Sequence, residues 1–218
     1  MLLNLLVALM PVGFILVASE ILWRRGSIRG ERARKFIHVL AGIWMAFWPL
    51  YLPFDGIFIL ATVALTLLIY SRITRLFHAI YAVKRKTYGD LLYALALVVC
   101  AYLGRENWIF TFSILLLAIA DGGAALVGKQ WGKKNEYIVF GLKNLRKSIA
   151  GTTAFIIFTY ICIGIAWLIG GDAIIREHAV FMLIVFPLLF AFIENVSPYG
   201  LDNLMTPLLA TILLQRLV

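Results

Sequence analysis

The sequence contains few charged residues and only two cysteines. Of its 218 residues, 14% are charged and 63% are hydrophobic, and the mean hydropathy is +0.95. A soluble domain of this size carries more polar surface, so the composition excludes that class and indicates an integral membrane protein. Cys100 and Cys162 each lie within an apolar run, where a thiol is a small packing residue. They offer neither a disulfide framework nor a cysteine-based metal site.

The sequence also shows no soluble domain, internal repeat or low-complexity tract. Apolar stretches that alternate with charged or turn residues predict an all-α, polytopic protein with about eight (seven to eight) transmembrane helices, since ~20 apolar residues cross a bilayer. Residues 1-218 are expected to form a single transmembrane domain. The first stretch lacks a preceding basic segment, which favours a spanning helix over a cleavable signal peptide. The predicted spans are 2-23, 36-52, 54-70, 89-104, 107-128, 150-169, 179-194 and 201-216.

The basic residues predict how these spans are oriented. Of the 20 Lys and Arg residues, 17 lie in loops 24-35, 71-88 and 129-149, each of which follows an odd-numbered span. By the positive-inside rule these loops are cytoplasmic, and both termini are outside. The same rule accounts for the net charge of +9, so nucleic acid is not expected as a partner. In loop 71-88, apolar residues at helical spacing among arginines and lysines predict an amphipathic helix in the membrane interface.

Two acidic residues lie inside predicted spans, where burial of a charge is costly. Glu20 has Arg24 four positions later on the same helical face, which predicts a local ion pair. Asp121 lies ~12 Å inside the fifth span, and no Lys or Arg is three or four positions away. Its partner must therefore come from another helix, a metal ion or water. Gly122 and Gly123 follow it and would let a backbone or ligand approach, so Asp121 is a functional candidate, with a purely structural role as the alternative.

A second candidate group opens the second span in the segment RKFIH. His38 falls on the same helical face as Arg34 and Lys35, so two cations and a titratable imidazole converge just below the cytoplasmic interface. The alternative is that the two cations extend to the interface and that His38 is a hydrogen-bonded core histidine.

The third basic loop leads into the sixth span. It brings Lys129, Lys133 and Lys147 ahead of Ser148 and the helix-opening segment IAGT. A basic cluster at a helix N-terminus is a candidate anion site, although the Walker A pattern is absent. The alternative is ordinary positive-inside residues followed by a serine N-cap.

The loop between spans seven and eight carries acids and no basic residue. Glu194 closes one span, and Asp202 and Asn203 open the next. Together with Asp121, these carboxylates could hold Mg²⁺, which prefers oxygen ligands and shares its coordination shell with phosphates. Basic groups on three loops would then bind a polyphosphate, and acids would bind its metal.

Four blocks resemble the CTP-dependent lipid-alcohol kinase family, which includes phytol, farnesol, dolichol and CTP-dependent diacylglycerol kinases. The blocks are RKFIH, ADGGAALVGKQWGK, KSIAGT and LDNLMTP, and they occur in the family's order from Arg34 to Pro207. The KS-x-A-G form resembles the phytol and farnesol kinase branch, since the dolichol and diacylglycerol kinases more often have Glu where this chain has Ala150.

The resemblance implies Mg²⁺-dependent transfer of the γ-phosphoryl group of CTP to the hydroxyl of a lipid alcohol, at a site facing the cytoplasm. The sequence does not define the oligomeric state, and an oligomer is compatible with it. Asp121 would act as metal ligand or hydroxyl base, and Glu194 and Asp202 would be further metal ligands. His38 would position a reacting group and Lys147 would bind phosphate. The remaining phosphate- or nucleotide-binding residues implied are Arg34, Lys35, Lys129, Lys133, Ser148, Gly151 and Asn203.

Two other functions are alternatives. A CTP:phosphatidate cytidylyltransferase shares the Asp-Gly-Lys block and a K-[ST]-x-E-G block, but its Glu and its C-terminal PGHGGxxDR signature are missing here. A small ion-coupled transporter would use Asp121 and Glu20 as coupling groups. Transporters usually show repeated halves and broken midplane helices, whereas the polar groups here cluster on one predicted face.

Overall fold

The fold is all-α apart from one short β-hairpin in the part of the chain that the computed structural model describes, residues 2–74, 88–139 and 145–218. The third predicted basic loop, 129-149, contains this hairpin. The helices are α1 Leu2–Arg24, α2 Glu31–Ala46, α3 Phe54–Thr74, α4 Gly89–Leu103, α5 Asn107–Leu115, α6 Gly122–Trp131, α7 Ile149–Ala166, α8 Asp172–Glu177, α9 Phe186–Val196 and α10 Asp202–Gln215. The strands are β1 Glu136–Ile138 and β2 Arg146–Ser148, which pair antiparallel.

Every predicted span overlaps a helix of the structure, which confirms the all-α class. Among the described residues, four helical stretches are long and apolar enough to cross a membrane, and α4 and the stretch Phe181–Val196 are shorter apolar helices. The other two predicted spans correspond to α2 and α10, which have 16 and 14 residues. That is shorter than the ~20 residues that a bilayer requires, so the number of crossings stays a prediction. The four longer stretches are Leu3–Arg24, Phe54–Thr74, Asn107–Lys134 and Ile149–Glu177.

The helix α5 forms the centre of the bundle. Its residues from Trp108 to Leu115 are all buried, as expected of a helix that is apolar on every side. Helices α2, α7 and α10 pack around it. A π-helical turn, Leu116–Asp121, joins α5 to α6 without a break in the helical stretch. Asp121 is therefore held inside the bundle, whereas α1 and α3 leave most of their apolar surface exposed, as lipid-facing helices do.

Close packing of α2 against the π-helical turn positions the polar residues. A Cβ atom on Gly122 would lie 2.4 Å from Val39 Cγ2, and one on Gly42 would lie 2.5 Å from Ala118 Cβ. Side chains larger than hydrogen at these two positions would push the helices apart. The absence of a side chain here lets the first turns of α2 lie directly beside Asp121.

Two local predictions are confirmed in the described residues, and one lies outside them. Arg24 Nε is 3.0 Å from Glu20 Oε1, so the predicted ion pair forms. Ser148 caps α7, because its Oγ accepts a hydrogen bond from the Gly151 backbone N–H at 3.1 Å. The amphipathic helix predicted in loop 71-88 falls almost entirely on residues outside the described ranges, since α3 is described as far as Thr74.

Candidate active site

A polar cavity of about 390 Å³ lies between the hairpin and one end of helices α2, α6, α7, α9 and α10. This size is typical of sites that bind small molecules. All four sequence blocks that carry the family resemblance contribute residues to its wall. Its basic side chains are Arg34, Lys35, Lys129, Arg146 and Lys147, and its acidic side chains are Glu31, Asp121, Glu136, Glu194 and Asp202.

Asp121 is paired with two residues of α2. Its Oδ2 accepts hydrogen bonds from Lys35 Nζ at 2.5 Å and from His38 Nε2 at 3.1 Å. The side chains of Lys35 and Asp121 are only 3% and 4% exposed. The partner of Asp121 therefore comes from another helix, which is one of the three sources that the sequence predicts. Loss of either member of such a pair would leave a buried, uncompensated charge.

His38 lies behind Asp121 and is not part of the cavity wall as described. Its Nε2 is 2.8 Å from the Leu117 carbonyl oxygen, which belongs to the π-helical turn. Because both neighbours of Nε2 are acceptors, this nitrogen carries the proton and donates to them. Its ring packs against Tyr93, with centroids 4.4 Å apart. The geometry makes His38 a support for the position of Asp121, and π-helical turns often occur at functional sites.

Lys147 connects the hairpin to α9. Its Nζ donates to the Glu194 side chain and, at 2.9 Å, to the Glu194 carbonyl oxygen. Asp202 Oδ2 is 4.0 Å away. Burial lowers the pKa of Lys147, but the charges of Glu194 and Asp202 outweigh burial and raise this pKa above its ordinary value of 10.5. The ammonium group is therefore permanently charged at physiological pH.

Three carboxylates converge on one side of the cavity. Asp121, Glu194 and Asp202 each offer an oxygen, and these three oxygens lie within 4.8 Å of one another. They come from the π-helical turn, α9 and α10, so the cluster exists only in the folded bundle. Like charges at this separation repel, and Lys35 and Lys147 offset part of the repulsion. An all-oxygen donor set of this kind fits Mg²⁺.

Apart from Lys133, the other predicted binding residues are part of the cavity wall. Arg34, Lys129, Ser148, Gly151 and Asn203 all line the cavity. The Arg34 guanidinium contacts Glu31, while its Nε is buried and has no hydrogen-bond partner among the described residues.

Two of the predicted residues are less available for binding phosphate or nucleotide than the sequence suggests. Asn203 uses its side-chain N–H to bond the Gly89 carbonyl oxygen at 2.7 Å, which fastens α10 to α4. Lys133 is exposed in the turn Gly132–Lys134 and is not among the described residues of the cavity wall.

The cavity also contains residues that the sequence did not single out. Glu31 precedes Arg34 by three positions, a helical spacing from which their contact could have been predicted. Glu136 and Arg146 form a diagonal pair across the hairpin, with 3.7 Å between charged atoms. The strands have only three residues each, so their alternation of apolar and polar residues is too short to predict the hairpin and this ion pair from the sequence. Tyr199, in the loop between α9 and α10, gave no signal.

A hydrogen-bonded cluster fixes the hairpin relative to the bundle. Tyr137 of β1 contacts Thr152 Oγ1 of α7 at 2.6 Å and donates to Asn195 Oδ1 of α9 at 2.7 Å. The hairpin therefore holds Lys147 and Ser148 at a defined place on the cavity wall. None of these three partners follows from spacing in the sequence.

Comparison with known proteins gives one relative. No family model matches the chain, and no solved structure matches it. The chain is 30% identical over 203 residues to phytol kinase of Synechocystis sp.. The matched region covers 90% of this chain and 84% of the relative. It therefore includes most of the residues that form the cavity.

Proposed function

Because the chain belongs to the phytol kinase family, we propose that it transfers the γ-phosphoryl group of CTP to the hydroxyl of an isoprenoid or other lipid alcohol, with Mg²⁺ as cofactor. The relationship supports a kinase that acts on a lipid alcohol. The single observation that carries the proposal is the three-carboxylate cluster beside Lys35 and Lys147 in one polar cavity. Carboxylates suit a metal, and lysines suit the phosphates that the metal accompanies.

Phosphoryl transfer requires alignment and charge neutralisation more than covalent chemistry by the protein. Mg²⁺ held by Asp121, Glu194 and Asp202 would supply Lewis-acid charge neutralisation at the phosphates. Arg34, whose Nε has no hydrogen-bond partner in the described part of the chain, and Lys129 would bind phosphate oxygens from the cavity wall.

The N-terminus of α7 forms a further part of the phosphate site. The backbone N–H groups at a helix N-terminus attract anions, and Ser148 and Gly151 place this terminus on the cavity wall. Lys147 precedes it by one residue and stays protonated. The hairpin and α7 would therefore act together on one face of a bound polyphosphate.

Asp121 has two proposed roles, metal ligand or base for the acceptor hydroxyl. Lys35 and His38 both bind its Oδ2, which fixes the orientation of the carboxylate. The acceptor's tail would enter laterally between the helices, with its hydroxyl reaching the polar cavity.

The donor and acceptor are tested with purified protein in detergent or nanodiscs. CTP, UTP, ATP and GTP are each offered with phytol, farnesol, geranylgeraniol, polyprenol or diacylglycerol. The proposal predicts a lipid monophosphate and CDP in equal amounts, with CTP as the best donor. Pyrophosphate and a CDP-lipid would instead identify a cytidylyltransferase, and no transfer with any pair would contradict the proposal.

Removal of divalent metal is expected to abolish transfer, because three clustered carboxylates would then face the phosphates without a compensating cation. EDTA followed by titration with Mg²⁺ measures this.

Glu194→Gln and Asp202→Asn should each raise the Mg²⁺ concentration needed for half-maximal activity by about tenfold. Glu136→Gln, which lines the cavity outside the cluster, is the matched control and should leave the Mg²⁺ requirement unchanged.

Replacement of His38 by Ala is expected to lower kcat by about tenfold to a hundredfold while the KM of each substrate changes little, because His38 orients Asp121 without touching substrate. His38→Gln should recover part of kcat, since its amide N–H can donate where Nε2 does. His178→Ala, at the residue directly after α8 and outside the described cavity wall, is the control. A large rise in substrate KM in His38→Ala would show instead that His38 contacts substrate.

A further inference from the structure

The loop between α9 and α10 makes a tight turn in an unusual conformation. The Leu201 backbone N–H donates to the Pro198 carbonyl oxygen at 3.0 Å, and the two central residues have positive φ, 57° at Tyr199 and 90° at Gly200. Two successive positive φ values are typical of a type I′ turn, whose first central position favours Asn, Asp or Gly. Tyr199 is the one non-glycine residue with positive φ in the described chain.

A bulky side chain in this conformation is an outlier that its surroundings must enforce. The Tyr199 carbonyl oxygen accepts from the Tyr88 backbone N–H at 3.1 Å, and the Gly200 carbonyl oxygen accepts from the Asn203 backbone N–H at 3.1 Å. The turn is thus held from both α4 and α10. Tyrosine is unfavourable in this backbone conformation, yet hydrogen bonds hold the turn in place. This combination indicates that the Tyr199 side chain serves a purpose beyond folding.

Tyr199 lines the cavity. Tyr199 is 66% exposed and, among the described residues that line the cavity, it is the one aromatic residue. Its turn connects α9, which ends just after Glu194, to α10, which begins at Asp202. Tyr199 therefore lies in the loop that joins the segments carrying two of the three carboxylates that would hold the metal and its phosphates.

A nucleotide in this cavity has two chemically different ends. The phosphates belong among the charged groups, so the flat, uncharged base must lie beyond them, at the edge of the cavity. We propose that the ring of Tyr199 stacks against the nucleobase of the donor. Base–aromatic stacking gives affinity without requiring one particular base, because every base has a π-face. This inference rests on the proposed function to the extent that the donor is a nucleotide.

Tyr88 provides the internal comparison. Its ring is 58% exposed, the Arg72 guanidinium lies 5.1 Å from its centroid, and it does not line the cavity as described. Exposed tyrosines are common at membrane interfaces, and Tyr88 has the features of that class. Tyr199 differs from it in lining the charged cavity.

The test compares Tyr199→Phe, Tyr199→Asn and Tyr88→Asn with the wild type. Tyr199→Phe keeps the ring and should hold the KM and the dissociation constant for CTP within about twofold. Tyr199→Asn should raise both by about tenfold, with kcat and the KM of the alcohol nearly unchanged. Its thermal unfolding midpoint should not fall, since Asn suits positive φ. Tyr88→Asn should leave every constant at the wild-type value.

Inorganic tripolyphosphate, which has no base, separates stacking from a general effect on the site. Its inhibition constant should be the same for the wild type and Tyr199→Asn. A wild-type CTP affinity in Tyr199→Asn, or an equal loss of tripolyphosphate affinity, would overturn the inference. An effect on the KM of the alcohol alone would also overturn it and would place the ring beside the lipid.

Separate measurements of CTP binding and of phosphate transfer distinguish a failure of this inference from a failure of the proposed function. Equilibrium dialysis with labelled CTP reports binding without chemistry. A wild type that binds CTP through Tyr199 but transfers no phosphate would contradict the proposed function and support the stacking. A wild type that transfers phosphate, with no change in Tyr199→Asn, would contradict the stacking alone.

Discussion

Asp121→Asn is expected to lower kcat for phosphate transfer on the order of a thousandfold, the largest effect that we expect of any single substitution. The substitution keeps the size of the side chain and removes one charge. That charge belongs both to the carboxylate cluster and to the buried pair with Lys35. Steady-state kinetics with saturating donor and acceptor measure the loss.

A folding defect must be separated from a loss of chemistry. Asparagine would leave the Lys35 ammonium buried and unpaired, which costs roughly 3–5 kcal/mol of stability. The double variant Lys35→Met/Asp121→Asn removes both charges and should recover the thermal unfolding midpoint without recovering activity. Asp172→Asn, which breaks an exposed pair with Arg176, should retain both. Near wild-type turnover in folded Asp121→Asn would contradict the assignment.

The residual activity of Asp121→Asn distinguishes the two proposed roles of the carboxylate. If Asp121 is a metal ligand, more Mg²⁺ should partly restore the rate, since the remaining ligands would bind it more weakly. If Asp121 is the base, the rate should not respond to added Mg²⁺. Titration of Mg²⁺ against the residual rate measures the difference.

Lys147→Met is expected to lower kcat/KM for the nucleotide by about a hundredfold to a thousandfold. The methionine keeps most of the buried stem but cannot neutralise phosphate or the carboxylates of Glu194 and Asp202. Lys134→Met is the matched control, because Lys134 is exposed in the same basic loop and outside the described cavity wall. Equal losses in both variants would show that the loop acts only through its overall charge.

The pH dependence of activity supplies a second check on Lys147. Its pKa is raised above 10.5, so the folded protein binds this proton more tightly than the unfolded chain does. The charged Lys147 therefore stabilises the folded protein fully below the pKa that this lysine has in the unfolded chain. This stabilisation is lost only as pH rises through the higher pKa of the folded protein. We therefore expect no loss of activity between pH 7 and 9 from deprotonation of this group. A drop in that range that disappears in Lys147→Arg would contradict it.

The sequence was most informative where burial of a charge is so costly that few structures can accommodate it. A carboxylate within an apolar span requires a partner, and Asp121 has two, Lys35 and His38, on one face of α2 as helical spacing predicts. The convergence of Glu194 and Asp202 with Asp121 also agrees with the predicted order of spans. The approximate positions of the helices were predictable for a related reason, because long apolar runs end at charges and turns. The bounds were less so, since α2 runs from Glu31 to Ala46 and the predicted span was 36-52.

The remaining features depend on tertiary contacts that have no signal in the sequence. The hairpin consists of two three-residue strands, and its position depends on the contacts of Tyr137 with Thr152 and Asn195. The basic cluster ahead of α7 also predicted Lys133 as a phosphate ligand, and this residue lies exposed in the turn after α6. Tyr199 follows Pro198 in a segment whose positive φ cannot be inferred from its residue types.

The fate of each phosphorus atom of the donor is the decisive measurement for the proposed reaction. Purified wild-type protein is incubated with Mg²⁺, a lipid alcohol and CTP that is labelled in parallel reactions at the γ- or the α-phosphorus. We expect the γ-label to enter the lipid as a monophosphate while the α-label stays in CDP, and we expect Asp121→Asn to lose nearly all of this transfer. Transfer of the α-label to the lipid, with the γ-label released in pyrophosphate, would contradict the proposed function.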